Sequence, residues 1–406
     1  MMSDPRLLVS HPHAAAFAQG TAAGLSAHGR LSAFVTGVAT AEGNWMARVT
    51  DRAAGRWPVL RNRVVSGVAP ARLRTLAPVE LGVRATATAL IRMGLVQNLY
   101  DALFVAHDTA VSLLPWPRDT TAVYAYEDAA LRTFRRAARA GLGRIWDLPL
   151  PHYQTIAELF REEVRRWPEA VAGAPPIEPE WKQRRKDAEL ALATRVSAAS
   201  AFTKQSIDRL GLSIPVTVTP YGFPVASFEA RTQPPTGKFT VLSVGTHDLR
   251  KGSPYLFEAW RRAAIPDAEL HIVGPIRLAK SFVDGYAGGF IHHPHVAKSE
   301  LGARYVAADL LAFPTLGDGF GLVIQEAMCC GTPVVTTPCG GGPESITDGV
   351  DGWLIPPRDI DALVERLRAA AADRDRTAAV GRAARARAER WTWREAGDAL
   401  VAAFAP

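Results

Sequence analysis

Short apolar runs alternate with alanine-rich helical text along both halves of this chain, and a proline-rich break separates the halves. LLVSHP (residues 7–12) is an apolar run ending in a loop, AAAFAQGTAAGLSAHG reads as a helix, and RLSAFVTG reads as a second strand, which together open a βαβ unit. AVYAY (122–126) precedes the helical EDAALRTFRRAARAG, GRIWDLPLPHY follows as strand and loop, and VSAASAFTKQSIDRLGL reads as strand, Ser/Thr cap and helix. Periodicity stops over VTVTPYGFPVASFEARTQPPTGK (216–238), which holds four prolines and is read as a linker. Beyond it KFTVLSVGT, AELHIVGP, DLLAFPT and TPVVTTP read as strands between helical stretches, and WTWREAGDALVAAFA closes the chain as an amphipathic helix. Strands that alternate with helices are covered on both faces, so each half predicts a parallel sheet. The expected fold class is α/β, with two doubly wound units.

At 406 residues the chain is too long for one ordinary core, and two domains are expected. Its 48% hydrophobic and 21% charged residues are those of a globular protein, and no apolar run approaches the roughly 20 residues of a membrane span. The N-terminal text lacks a basic start followed by an uninterrupted apolar segment, so no signal peptide and a cytoplasmic location are expected. Three cysteines, Cys329, Cys330 and Cys339, have no metal-ligand spacing and fit free thiols in a reducing compartment. The formal charge of +7 favours polyanions, among them phosphorylated small molecules or an anionic membrane face. Much of that charge is arginine on helical text, where a solvated helix face is the readier account.

One stretch carries the chemistry. In PTLGDGFGLVIQEAMCCGTPVV (314–335), Asp318 and Glu326 bracket seven residues, 319 to 325. DLLAFPT gives a strand, TLGDG the loop at its carboxyl end, and a helix follows from Gly319 onward. Ligands of parallel sheets lie outside these strand ends. Gly319 and Gly321 would let the backbone close on a ligand, and the amides of Phe320, Gly321 and Leu322 would point out of the helix start toward an anion. A carboxylate accepts well from vicinal hydroxyls, so Asp318 and Glu326 can hold opposite ends of an extended ligand, although either acid also suits a helix cap or a paired position. The pattern reads as sugar, phosphate and ribose.

The segment from LLAFPTLGDGFGLVIQEAMCCGTPVV through GGGPESITDGVDGWLIPP resembles the nucleotide-binding half of family-4 retaining glycosyltransferases of the GT-B fold (glycosyl transferases group 1). Their hallmark is two glutamates separated by seven residues; here the first is Asp318. The resemblance implies that this acid sits by the donor sugar, that the amides after Phe320 meet sugar or phosphate, and that Glu326 binds the ribose. LSVGTHDLRKGSPYLFEAW resembles the family's V-G-R-x-x-x-x-K-G segment, which holds the donor diphosphate: Lys251 and Gly252 match, while Thr246 stands where arginine is commonest and Arg250 could supply the second positive charge. PYGFPVASF resembles the crossing between domains, and RWTWREAGDAL the helix that returns to the first. The implied organisation is two Rossmann-like domains facing across a cleft: 1–218 for the acceptor, 219–388 for the nucleotide sugar, and 389–406 as the returning helix. The family implies an acceptor site in the first half, where the loop HPHAAAFAQGT offers His13, Gln19 and Gly20. Glu127 and Asp128 follow AVYA where a histidine is usual, and His152 ends the next strand.

The expected activity is metal-independent retaining transfer, by Lys251, Asp318 and His152, of a sugar from a nucleotide sugar to a glycan, lipid-linked or small-molecule acceptor. No cofactor and no nucleic-acid partner are expected; peripheral contact with an anionic inner membrane face is. A GT-B-like epimerase or phosphorylase, or a silent nucleotide-sugar binding protein, is the alternative. Asp359-Ile360-Asp361 and Asp373-Arg374-Asp375 mimic a D-x-D metal motif, but capping explains the first and the second lies in arginine-rich helical text. Neither Gly317-x-Gly319-x-Gly321 nor Gly340-Gly341-Gly342 makes a dinucleotide fingerprint. Transfer is therefore expected to survive EDTA, which activity measured with and without the chelator checks.

Overall fold

The computed structural model describes residues 5–43, 63–92, 99–173 and 178–404. The first half contains β1 (Leu7–His11), β2 (Leu31–Thr36), a short separate pair β3 (Thr40–Ala41) and β4 (Val64–Val65), β5 (Leu73–Thr75), β6 (Ala122–Tyr126), β7 (Gly143–Leu148), β8 (Arg195–Ala198) and β9 (Val216–Val218). Seven of these form one parallel sheet in the order β5-β2-β1-β6-β7-β8-β9. The second half holds β10 (Phe239–Val244), β11 (Ala268–Val273), β12 (Ile291–His293), β13 (Leu310–Phe313), β14 (Val334–Thr336) and β15 (Trp353–Leu354), again all parallel, in the order β12-β11-β10-β13-β14-β15. Helices cover both sheets, so β1, β2 and β13 are buried along their whole length. Among the described residues no helix is long and apolar enough to cross a membrane.

Two expectations about boundaries are corrected. The break expected from residue 216 begins inside the first sheet, because Val216–Val218 pairs with Val196–Ala198 as an edge strand. The helix expected from Gly319 starts at Leu322, since Gly321 takes a left-handed φ of 84° that no α-helical turn contains.

The chain passes between the sheets at Tyr221 and Phe223, and again at Trp391 to Trp393, where the Phe223 N–H donates to Trp391 O at 2.8 Å. The last helix, Trp393–Phe404, then lies along the first, Ala16–Ala27, so closely that a Cβ built on Gly397 would sit 2.6 Å from the Gly24 carbonyl carbon. Leu400 and Phe404 join the core of Leu7, Val9 and Leu25.

A further connection has no counterpart in the sequence reading. Helix Tyr153–Arg166, numbered within the first domain, packs on the second: Phe160 and Ala170 lie in one core with Val241, Phe257, Leu270 and Leu278. Val171 bridges Leu278 in antiparallel fashion. Glu163, with no exposed surface, accepts from Tyr255 Oη at 2.7 Å and Arg358 Nε at 2.7 Å, and Arg358 Nη2 donates to Glu162 at 2.8 Å. Breaking a fully enclosed ion pair costs about 3–5 kcal/mol. Because the Arg358 side chain is 27% exposed, water replaces part of the contact, and Arg358→Ala is expected to cost about 2 kcal/mol. Equilibrium denaturation of the variant against the parent measures it.

Candidate active site between the two sheets

Strand order in the second sheet reverses between β10 and β13, and the loops leaving these strands meet at that point. A Cβ on Gly252 would lie 2.0 Å from Pro314 O, so glycine alone lets the turn after β10 sit against the end of β13. This approach carries Lys251 onto Asp318, whose Oδ2 accepts from the ammonium. Arg250 Nη1 donates to Gly317 O at 2.7 Å and stands 3.9 Å from Asp318 Oδ1, which also accepts from the Gly319 N–H at 2.9 Å. Burial acts to raise the Asp318 carboxyl, but Lys251 and Arg250 outweigh it and hold the group below its ordinary value. Burial lowers the Lys251 ammonium even though Asp318 opposes the shift.

Immediately beyond, helix Leu322–Cys329 begins without a side-chain cap, and the amides of Phe320, Gly321 and Leu322 donate to no described group. Two cations and open helix-start amides make this crevice suited to an anion. Glu326, inside the same helix, accepts from the fully buried Tyr305 hydroxyl at 2.9 Å. Thr246 follows β10, half-buried, and its hydroxyl makes no hydrogen bond among the described residues. Sequence reasoning missed Tyr305, which comes from helix Lys298–Ala307, and nothing in its local text marks it.

In the first sheet the order reverses between β1 and β6, bringing together the loops that carry His13 and Glu127-Asp128. His13 donates its N–H to His11 Nδ1 at 3.2 Å and its ring lies 5.5 Å from that of Phe104, while His107 meets Ser10 Oγ at 3.1 Å. Burial drives these imidazoles toward the neutral form, His13 to about 4 and His107 to about 3. The two crevices face each other. Ser200 Oγ and Thr203 Oγ1, at the start of the helix Ala201–Asp208 that follows β8, donate to Gly319 O at 2.6 and 3.1 Å, and a Cβ on Gly319 would lie 1.6 Å from Pro149 O.

Several candidates take other places than expected. Gln19 and Gly20 are helical rather than in a loop: Gln19 Nε2 donates to Ala14 O at 2.7 Å, and a Cβ on Gly20 would lie 2.1 Å from the Trp393 indole. Gly20 is thus a seat for the returning helix. His152 is completely enclosed at the start of helix Tyr153–Arg166, with no hydrogen bond to either ring nitrogen and Asp187 3.9 Å away; burial lowers it to about 4. Its backbone N–H donates to Ser206 Oγ at 2.9 Å, so it positions the loop that meets Gly319 and offers no open edge to a substrate. Glu127 and Asp128 are drawn into ion pairs with Lys186 (3.2 Å) and Lys182 (3.1 Å). Burial, against Lys186, raises the Glu127 carboxyl to about 8. The first acid of each D-x-D is a helix cap: Asp359 accepts from Ala362 N at 2.8 Å and Asp373 from Arg376 N at 2.9 Å.

Two parallel-sheet domains, linked by paired crossings and opposing their strand ends across a crevice lined by Lys251, Arg250 and open helix-start amides, define the GT-B architecture. Residues 238–373 match the family glycosyl transferases group 1. The D-inositol 3-phosphate glycosyltransferase of Arthrobacter sp. (strain FB24) is 31% identical over 277 residues, 62% of this chain and 63% of that protein. That of Mycobacterium avium (strain 104) is 40% identical over 115 residues, 27% of this chain and 26% of that protein. The match thus spans less than two thirds of these relatives' lengths. Among solved structures, Anabaena HepE in complex with UDP and glucose superimposes with a TM-score of 0.61 at 17% identity over 98% of both chains. Sucrose-phosphate synthase from Thermosynechococcus elongatus gives 0.61 at 17% over 98% of this chain and 97% of that one.

Where the crossing meets the first domain, Tyr221 and Ser197 donate to the buried carboxylate of Asp147, each at 3.3 Å, and Tyr124 donates as well. Burial pushes this acid up to about 7 against those hydrogen bonds. The unfolded chain releases the proton near its ordinary value, about 4, so the folded form binds more protons between there and neutrality. Stability from this group therefore falls as pH rises through that window, by up to about 1.4 kcal/mol per pH unit. Asp147→Asn is expected to remove that slope, and denaturant midpoints of parent and variant at about pH 4.5 and 6.5 test it.

Proposed function

We propose that this protein is a retaining glycosyltransferase that moves a hexosyl group from a nucleoside diphosphate sugar to a hydroxyl acceptor. The observation that carries the reading is the convergence of Lys251, Arg250, Asp318 and the open amides of residues 320–322 on one crevice, opposite the strand ends of the other domain. The diphosphate lies along the amides and Lys251, Glu326 takes the ribose hydroxyls beside Tyr305, and Asp318 meets the sugar. As the bond between the anomeric carbon and the diphosphate oxygen breaks, negative charge grows on the leaving group where Lys251 and the helix start already point, which lowers the barrier without rearrangement. The acceptor oxygen attacks from the same face and its proton leaves with the diphosphate, giving retention. Lys251 and the amides provide the charge stabilisation that a metal supplies elsewhere, so no cofactor is required.

The acceptor belongs on the first domain, near His13 and its aromatic neighbours; a glycan, a lipid-linked sugar or a small polyol all present the required hydroxyl. The relatives named D-inositol 3-phosphate glycosyltransferase and the UDP- and glucose-bound neighbour support a nucleotide-sugar donor.

Lys251→Ala is expected to lower transfer by about two to three orders of magnitude with folding retained. Glu326→Ala should chiefly raise the donor KM. Parent-like kinetics in both variants overturns the assignment. Thermal unfolding against UDP-, GDP-, dTDP- and ADP-sugars identifies the donor base, because a ligand at about 100 times its Kd adds roughly 2.7 kcal/mol.

A further inference from the structure

A cavity of about 610 Å³ opens at the hinge, between the segments that cross the domains and helix Arg374–Ala388. Its size falls within the range of about 300–1,000 Å³ usual for small-molecule sites. Phe223, Val350, Ala383 and Ala386 give it apolar walls. Two other lining residues carry buried polar atoms without a hydrogen-bond partner among the described residues, Trp391 Nε1, a donor, and Glu344 Oε2. Buried polar groups are nearly always partnered by protein or by water, so these two are available to whatever fills the cavity.

Charge indicates its kind. Arg387 is already engaged, donating to Thr347 Oγ1 and Glu344 O at 3.0 Å each and standing 3.6 Å from Asp351. Arg390, one turn on and exposed, has no side-chain partner among the described residues. A cation at a helix C-terminus complements the helix dipole, which would account for Arg390 alone. It does not account for an indole N–H left unpartnered in the adjacent residue.

We propose that the hinge cavity binds a small amphipathic anion, its apolar body against Phe223, Val350 and Ala386 and its carboxylate or phosphate on Arg390 and the Trp391 indole. A hydroxyl on the same molecule donates to Glu344 Oε2, whose partner oxygen Oε1 accepts from the Ala201 N–H of the first domain at 2.7 Å. The occupant would touch both the crossing segments and a contact between domains, and so would bear on their relative angle.

Calorimetric titration of the full chain with 3-(4-hydroxyphenyl)propanoate and with 4-hydroxyphenyl phosphate tests this, the tighter of the two naming the head group. Saturable binding of either anion is expected, weakened at least tenfold by Arg390→Glu, abolished when Ala386→Trp fills the cavity, and weakened at least tenfold when the propanoate is replaced by its neutral amide. Circular dichroism melts matching the parent show that both variants fold. Three results overturn the proposal: no saturable binding, an amide that binds as tightly as the acid, or affinity that falls in Lys251→Ala and not in Arg390→Glu, which would place the anion in the donor crevice.

Discussion

The buried carboxylate of Glu163 governs the arrangement of this molecule. A fully enclosed carboxylate cannot remain charged without donors, and both that it has among the described residues, Tyr255 and Arg358, belong to the second domain although the helix that carries Glu163 follows β7 of the first. Helix Tyr153–Arg166 is thereby held on the second core, and with it the loop that ends β7. Pro149 is pressed against Gly319, Ser200 and Thr203 grip the Gly319 carbonyl, and the strand ends of the two sheets are brought face to face. A two-crossing hinge alone would leave that angle to the weaker packing of Tyr221 against Phe320 and Trp393.

Within the crevice so formed, the charges balance in an unusual way. Asp318 answers two cations, Lys251 directly and Arg250 at longer range, and the helix-start amides add partial positive charge to the same place. The net field favours an anion, while the acid keeps the Lys251 ammonium aimed before any ligand arrives. A shorter acid than glutamate can reach Lys251 because Gly252 allows the turn after β10 to lie on Pro314. Preorganisation of this kind leaves little reorganisation for the moment of reaction.

Much of this was legible in the text because it is local. Strand runs such as AVYAY coincide with β6, the Ser200 and Asp359 caps are formed, and the strand, glycine loop and helix from Asp309 to Cys329 bring Asp318 and the open amides to one place. Lys251 was readable only through the resemblance of its segment to the family's diphosphate-holding one, since a cation in a turn after a strand reads equally as a solvated loop residue. Features made by distant residues were not readable. Gly20 looked like part of a loop until Trp393, far along the chain, lay over it; His152 looked like a reactive side chain at a strand end until the fold enclosed it; Glu127 looked available until Lys186 reached it.

Two parallel sheets, the proline-rich crossing and the glycine loop that leads into helix Leu322–Cys329 were written in the chain locally, since periodicity, glycine placement and capping act over a few residues and carry their own physical signatures. Only the tertiary structure decided which acids and histidines are free to act. Burial and pairing depend on what another part of the chain places beside a group, and no local pattern records that Tyr305 would meet Glu326 or that Arg358 would meet Glu163.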